Sequence, residues 1–143
     1  WQWVANVDKS RYQRQLLIEG WDESSQKELQ GKTVFIAGAG GLGAPVINYL
    51  AAAGVGNIRI CDSDRVEISN LNRQILYTES ELEKPKAQAA LNRISKLNSE
   101  INIEALVERS NGIPEIVGIA IQPVNVDAID GSIKNAATSA AFE

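Results

Sequence analysis

Arg73 and Lys86 have the strongest claim to chemistry in this chain, and both lie in one polar passage, DRVEISNLNRQILYTESELEKPKAQ, residues 64–88. Lys86 follows Pro85, a residue suited to the first position of a helix. A cation there opposes the helix macrodipole by about 0.3–1 kcal/mol. Lys84 adds to the conflict. Local rules are broken most often at functional sites, and an anion held there would relieve this one. Arg73 brings a planar fork that matches phosphate oxygens. Together the two cations describe a clamp for a polyphosphate.

A second constellation supports a phosphate ligand. GAGGLG, residues 38–43, satisfies G-x-G-x-x-G through Gly38, Gly40 and Gly43. Glycines in this pattern make a tight turn and let a phosphate approach bare backbone N–H groups at a helix N-terminus. Asp62 follows about 20 residues on, the distance at which a carboxylate takes the ribose hydroxyls. Asp64 stands just beyond it. Near the end of the chain Asp130 closes the run VNVDAID. It could cap the following helix or hold magnesium, a hard ion that favours carboxylate and phosphate oxygens, and local sequence leaves both roles open. Asp127 belongs with strand structure. Cys61, at the end of an apolar run, reads as a small buried hydrophobe. Tyr12, Trp1, Trp3 and Trp21 read as packing residues.

The elements that must position these residues alternate. Residues 10–30 are helical and polar. Val34, Phe35 and Ile36 form a strand that enters the glycine cluster. Leu42, Val46, Ile47, Leu50 and Ala51 fall at helical spacing, with Gly54 and Gly56 ending that helix. NIRIC, 57–61, is a second strand. Ala87, Ala90, Leu91, Ile94 and Leu97 make an apolar helical stripe beginning at Pro85. INIEALV, 101–107, is a third strand and VNVDAID, 124–130, a fourth. The intervening 108–123 carries no clear pattern, and 131–143 could begin a helix. Such alternation predicts a mainly parallel sheet covered by helices. Ligands of such sheets bind outside the carboxyl ends of the strands, where the glycine cluster, Asp62, Asp64 and Asp130 all fall.

Composition excludes several alternatives. The chain has 143 residues, 44% hydrophobic and 22% charged, as expected of one ordinary soluble domain. A net charge of −4 argues against nucleic acid as a partner. No apolar run reaches membrane-spanning length and no signal peptide opens the chain, so a cytoplasmic location is expected. A lone cysteine excludes an intrachain disulfide and a cysteine-rich zinc site. The absence of histidine removes imidazole acid–base chemistry. Methionine is absent too, even at the start, so a longer polypeptide is expected.

In order and spacing, RYQRQLL, VFIAGAGGLGAPVINYLAAAGVG, CDSDRVEISNLNRQILY, EKPKAQAA and VDAID resemble the adenylyltransferase domain of the ThiF/MoeB/HesA family, relatives of ubiquitin-activating enzymes. The resemblance is dense from Arg11 to about Leu106 and resumes near Asp127. D-x-D-x-V-x-x-S-N-L-x-R-Q is far more specific than any glycine motif. The resemblance implies a Rossmann-like α/β fold. It also implies ATP-dependent adenylation of the C-terminal glycine of a ubiquitin-like sulfur carrier protein, with magnesium and release of pyrophosphate. Carried over residue by residue, Gly41 would lie under the phosphates and Asp62 on the ribose. Ser69, Asn70 and Gln74 would line the nucleotide pocket beside Asp64, with Arg73 and Lys86 on phosphates. Asp130 would bind magnesium. Arg14 would reach into a partner subunit as an arginine finger, so a homodimer is implied. Residues 1–30 would form that dimer-contacting arm and 31–143 the ATP-binding domain. The Cys-x-x-Cys zinc pairs of the family's later half have no counterpart in these residues, and position 131 is Gly where the family usually has Asn.

The chemistry is consistent with the composition. A C-terminal carboxylate, with a pKa of about 3.3–3.7, is already an ionised nucleophile at neutral pH. Attack on phosphorus then needs positioning and charge neutralisation, and no histidine. Two rival readings stand beside this one. An NAD-dependent oxidoreductase would use GAGGLG and Asp62 but leaves Arg14, Arg73 and Lys86 without roles. A non-catalytic partner subunit would keep the fold alone.

Overall fold

The computed structural model describes residues 9–107 and the strand 119–122. Asp127, Asp130, Gly131, Trp1, Trp3 and the expected strand 124–130 lie outside the described residues. In chain order the elements are α1 (Lys9–Tyr12), α2 (Glu23–Gln30), β1 (Thr33–Ala37), α3 (Gly43–Ala53), β2 (Asn57–Cys61), α4 (Lys86–Leu97), β3 (Asn102–Leu106) and β4 (Ile119–Gln122). Short 3₁₀ turns occupy Gln15–Leu17, Ile68–Asn70 and Glu79–Glu81. The sheet order is β3-β2-β1-β4.

The β1–β2 and β2–β3 pairs are parallel, in register from Thr33 opposite Asn57 and Asn57 opposite Asn102. This is the mainly parallel sheet that the alternation predicts, in the Rossmann-like α/β arrangement that the resemblance implies. β4 is antiparallel to β1 and falls inside the segment that showed no pattern. Its residues, Ile-Ala-Ile-Gln, show no apolar–polar alternation, which explains why sequence did not mark it.

Alternation along the strands sets the core. Val34, Ile36, Ile58 and Ile60 are buried in one cluster with Ile47 and Ala51 of α3 and Ala87, Ala90 and Ile94 of α4. Two residues of the expected stripes depart from it. Leu42 is exposed because it stands at the N-cap, before α3 begins, and Leu97 is partly exposed in the last turn of α4. On the other strand positions Arg59 and Glu104 face each other in register and form an ion pair.

The N-terminal segment is tied to the C-terminal end of α3. Tyr12 is buried against Gly54, where an added Cβ would come within 2.7 Å of its ring. Its hydroxyl accepts from Asn98 Nδ2 at 2.9 Å and donates to Glu100 at 3.4 Å. Asn98 also donates to the carbonyl of Ala51. Gln15 bonds the carbonyl of Ala53 and the side chain of Gln26. These bonds satisfy carbonyls of the last turn of α3, which have no partner within the helix.

Candidate active site

The glycine turn forms because β1 must reverse into α3 within a few residues. Gly38 takes a φ of +90°, a conformation that only glycine adopts freely. Its N–H donates to Cys61 O at 2.8 Å, which ties the turn to the end of β2. Gly43 opens α3 so closely beneath Gly38 that no side chain fits between them. Gly40 and Gly41 meet only side chains. A Cβ on Gly40 would stand 3.7 Å from Gln74 Nε2, and one on Gly41 3.8 Å from Arg73 Nε.

Asp62 extends the turn's scaffold. Its Oδ2 accepts from Ala39 N and its Oδ1 from Asp64 N, each at 2.7 Å. The carboxylate expected at a ribose therefore also fixes the backbone of both the glycine turn and the loop beyond β2. Tyr77 braces the same turn from the other side, its hydroxyl donating to Ala39 O at 2.7 Å. Burial, with Asp62 nearby, pushes the Tyr77 phenol well above its ordinary pKa, so it remains a neutral donor. Nothing in the sequence gave Tyr77 a role. Its one signal was an aromatic residue closing the RQIL run, which does not reveal a partner 38 residues away.

The loop 64–86 returns by pairing its two ends. Val66 N donates to Lys84 O, Glu83 N to Val66 O, and Lys86 N to Asp64 O at 2.9 Å. This short antiparallel contact places the start of α4 beside the end of β2. Pro85 is the N-cap with extended ψ, its carbonyl accepting the first helical bond from Ala89. Lys86, one position later than the expected start, is therefore the first helical residue. Lys86 is 5% exposed, and its Nζ lies 3.2 Å from Asp64 Oδ2. The anion that its position demands is thus supplied from within the chain.

The SNLNR stretch carries Arg73 and Gln74 to the glycines. Asn70 is buried, with Oδ1 accepting from Glu67 N, and its carbonyl accepts from Gln74 N at 2.9 Å. Ser69 O accepts from the Arg73 guanidinium at 3.1 Å. Gln74 is buried, and its Oε1 has no partner among the described residues. Gly38, Gly40, Gly41, Gly43, Asp62, Asp64, Ser69, Asn70, Arg73, Gln74 and Lys86 thus belong to one connected region at the carboxyl edge of β1 and β2. Arg14 does not. It is exposed, and its neighbour Gln15 binds the far end of α3, on the order of 15 Å from the glycine turn.

This donor set fits a polyphosphate: bare backbone at the turn, a fork beside Gly41 and a nearly buried ammonium. No cluster of three His, Cys, Asp or Glu suited to a metal occurs among the described residues, and Asp130 lies outside them. No helix among them is long and apolar enough to cross a membrane. Tyr77→Phe is expected to leave the Ala39 carbonyl unpaired and to cost about 1–3 kcal/mol. Urea unfolding monitored by circular dichroism would measure it, and an unchanged midpoint would remove Tyr77 from the brace.

A mainly parallel sheet with a glycine turn, an acidic strand end and two cations at its carboxyl edge defines a Rossmann-like domain of the nucleotide-binding class. The chain belongs to the ThiF family, which it matches over residues 12–135. It is 40% identical over 123 residues to the sulfur carrier protein ThiS adenylyltransferase of Escherichia coli strain K12, covering 86% of this chain and 49% of that protein. To the sulfur carrier protein adenylyltransferase of Thermus thermophilus it is 45% identical over 95 residues, covering 66% of this chain and 35% of that one. A crystal structure of E. coli MccB with ATP superposes with a TM-score of 0.67 at 32% identity, over 73% of this chain and 32% of the other. The chain therefore spans half or less of the length of each of these relatives.

Proposed function

We propose that this chain forms the nucleotide-binding part of an adenylyltransferase that activates the C-terminal glycine of a ubiquitin-like sulfur carrier protein. One observation carries the proposal. Arg73 and the nearly buried Lys86 belong to the same edge as a glycine turn that leaves its backbone bare beside Gly41. The relatives named as sulfur carrier adenylyltransferases support the choice of substrate.

In this reading a carboxylate oxygen of the carrier attacks the α-phosphorus of ATP. The bond from that phosphorus to the bridging oxygen breaks, and its electron pair leaves with pyrophosphate. No proton moves, in keeping with a chain that lacks histidine. The glycine turn and Asp62 hold the nucleotide. Arg73 and Lys86 neutralise the phosphate oxygens, where fixed charges act most strongly if water is excluded. Magnesium, held by Asp130, would supply further charge neutralisation. Residues 1–30 serve as a dimer arm and Arg14 acts in the partner's site, a role that suits its distance from the glycine turn of its own chain. The reaction belongs to the cytoplasm, where ATP is supplied.

The test is exchange of labelled pyrophosphate into ATP in the presence of a ubiquitin-like carrier ending in glycine. Exchange that requires the carrier is expected. Equal exchange without it would sink the substrate assignment. Arg14→Ala should lose exchange, and mixing it with the Lys86→Ala protein should restore part of it through hybrid dimers. If mixing restores nothing, Arg14 does not act across subunits.

A further inference from the structure

Asp64 has a place in the site that nucleotide binding alone does not explain. Its backbone is fixed at both ends, the N–H donating to Asp62 Oδ1 at 2.7 Å and the carbonyl accepting from Lys86 N at 2.9 Å. Its carboxylate extends from this fixed point to Lys86 Nζ at 3.2 Å. The two side chains of the pair differ sharply in exposure, 7% for Lys86 and 63% for Asp64. Among the described residues Asp64 is the sole side-chain partner of that ammonium.

A cation in the first turn of a helix is opposed by the macrodipole, and burial withdraws it from water. Lys86 suffers both, and only an anion in contact offsets them. Asp64 is that anion in the structure as it stands. Because its carboxylate lies at the solvent edge and its backbone is held independently, it can rotate off Nζ without disturbing the loop. We propose that Asp64 is a placeholder counter-ion: it holds the Lys86 ammonium in position and yields it to an incoming phosphate oxygen. The inference rests on the phosphate role of Lys86 proposed above. It assigns Asp64 a positioning role in competition with the nucleotide, where a direct ligand would assist binding.

The two roles predict opposite signs. A group that must be displaced weakens binding, so its removal strengthens binding; removal of a direct ligand weakens it. Asp64→Asn, with Asp64→Ser as a second variant, is compared with the unaltered protein by calorimetric titration with ATP, inorganic tripolyphosphate and adenosine. EDTA is present throughout, so that no magnesium contact enters. The placeholder predicts a three- to tenfold gain in affinity for ATP and tripolyphosphate and no change for adenosine. The gain should persist from 0.05 to 0.5 M KCl, because a contact with a buried ammonium is screened far less than a diffuse surface field.

Weaker or unchanged binding of ATP and tripolyphosphate by both variants overturns the placeholder, and so does a gain that salt abolishes. A loss confined to adenosine would make Asp64 a nucleoside ligand and overturns it equally. Failure of the underlying reading looks different. There the unaltered protein binds neither phosphate compound, or Lys86→Ala leaves both affinities unchanged, and the inference falls with it.

Discussion

Lys86→Ala is expected to weaken MgATP binding by about 10- to 150-fold, corresponding to roughly 1.5–3 kcal/mol for a hydrogen bond to a charged group. Carrier-dependent pyrophosphate exchange should fall below detection. The fold should survive, because the substitution removes an ammonium that opposes the α4 macrodipole and leaves Asp64 at a solvent-exposed edge. Arg73→Ala should act in the same direction without loss of stability, since Arg73 is exposed and, among the described residues, its guanidinium bonds the nearby Ser69 carbonyl and Asn72. Calorimetric titration and thermal melting, run on the same samples, separate the two effects. Undiminished exchange in both variants would end the phosphate-clamp assignment. A collapse of the melting temperature in Lys86→Ala would make that lysine a structural residue.

Gly43→Ala is expected to be the most damaging single methyl group in the site. The new Cβ would stand 1.9 Å from Gly38 O and 2.8 Å from Gly38 C. Both are backbone atoms, so the turn and the first turn of α3 must separate. The carbonyl cannot retreat freely, because Gly38 N is bonded to Cys61 O. Overpacking of this kind costs about 1–3 kcal/mol or more, and the displaced turn should also lose nucleotide affinity. Gly41→Ala provides the contrast. Its Cβ would meet only the flexible Arg73 side chain at 3.8 Å, so stability should hold while nucleotide binding falls. Urea denaturation of the two variants, followed by nucleotide titration of each, distinguishes a glycine required by the backbone from one required by the ligand. Equal stability of both would contradict the packing described for Gly43.

Local signals in the sequence were sufficient wherever the cause was local. The β2 limits, 57–61, follow from an apolar run bounded by Gly56 and Asp62, and Gly54 marks the end of α3 because its φ of +90° is a left-handed cap. The anomaly of Lys86, a cation at a helix start, was equally visible, and it pointed to a bound phosphate, whereas the anion in contact with it in the structure is Asp64. The partner it has in the structure was not visible, because the pairing of residues 64–66 with 83–86 depends on backbone bonds across a loop. Tyr77 and the bond from Asp62 to the glycine turn were missed for the same reason: each acts on Ala39, whose role lies in its main-chain atoms. The exposure of Leu42 shows how a residue at helical spacing can still fall just outside the helix. β4, Ile-Ala-Ile-Gln, carried no alternation to show a period.

In the proposed function the two cations suit the glycine turn to a triphosphate and not to a dinucleotide, and competition binding tests that most directly. The protein would be titrated with MgATP and, separately, with NAD, and each complex would then be challenged with inorganic tripolyphosphate. Saturable binding of MgATP that tripolyphosphate displaces, with no binding of NAD at the same concentrations, is the predicted result. Binding of NAD in preference to MgATP, unaffected by tripolyphosphate, would contradict it.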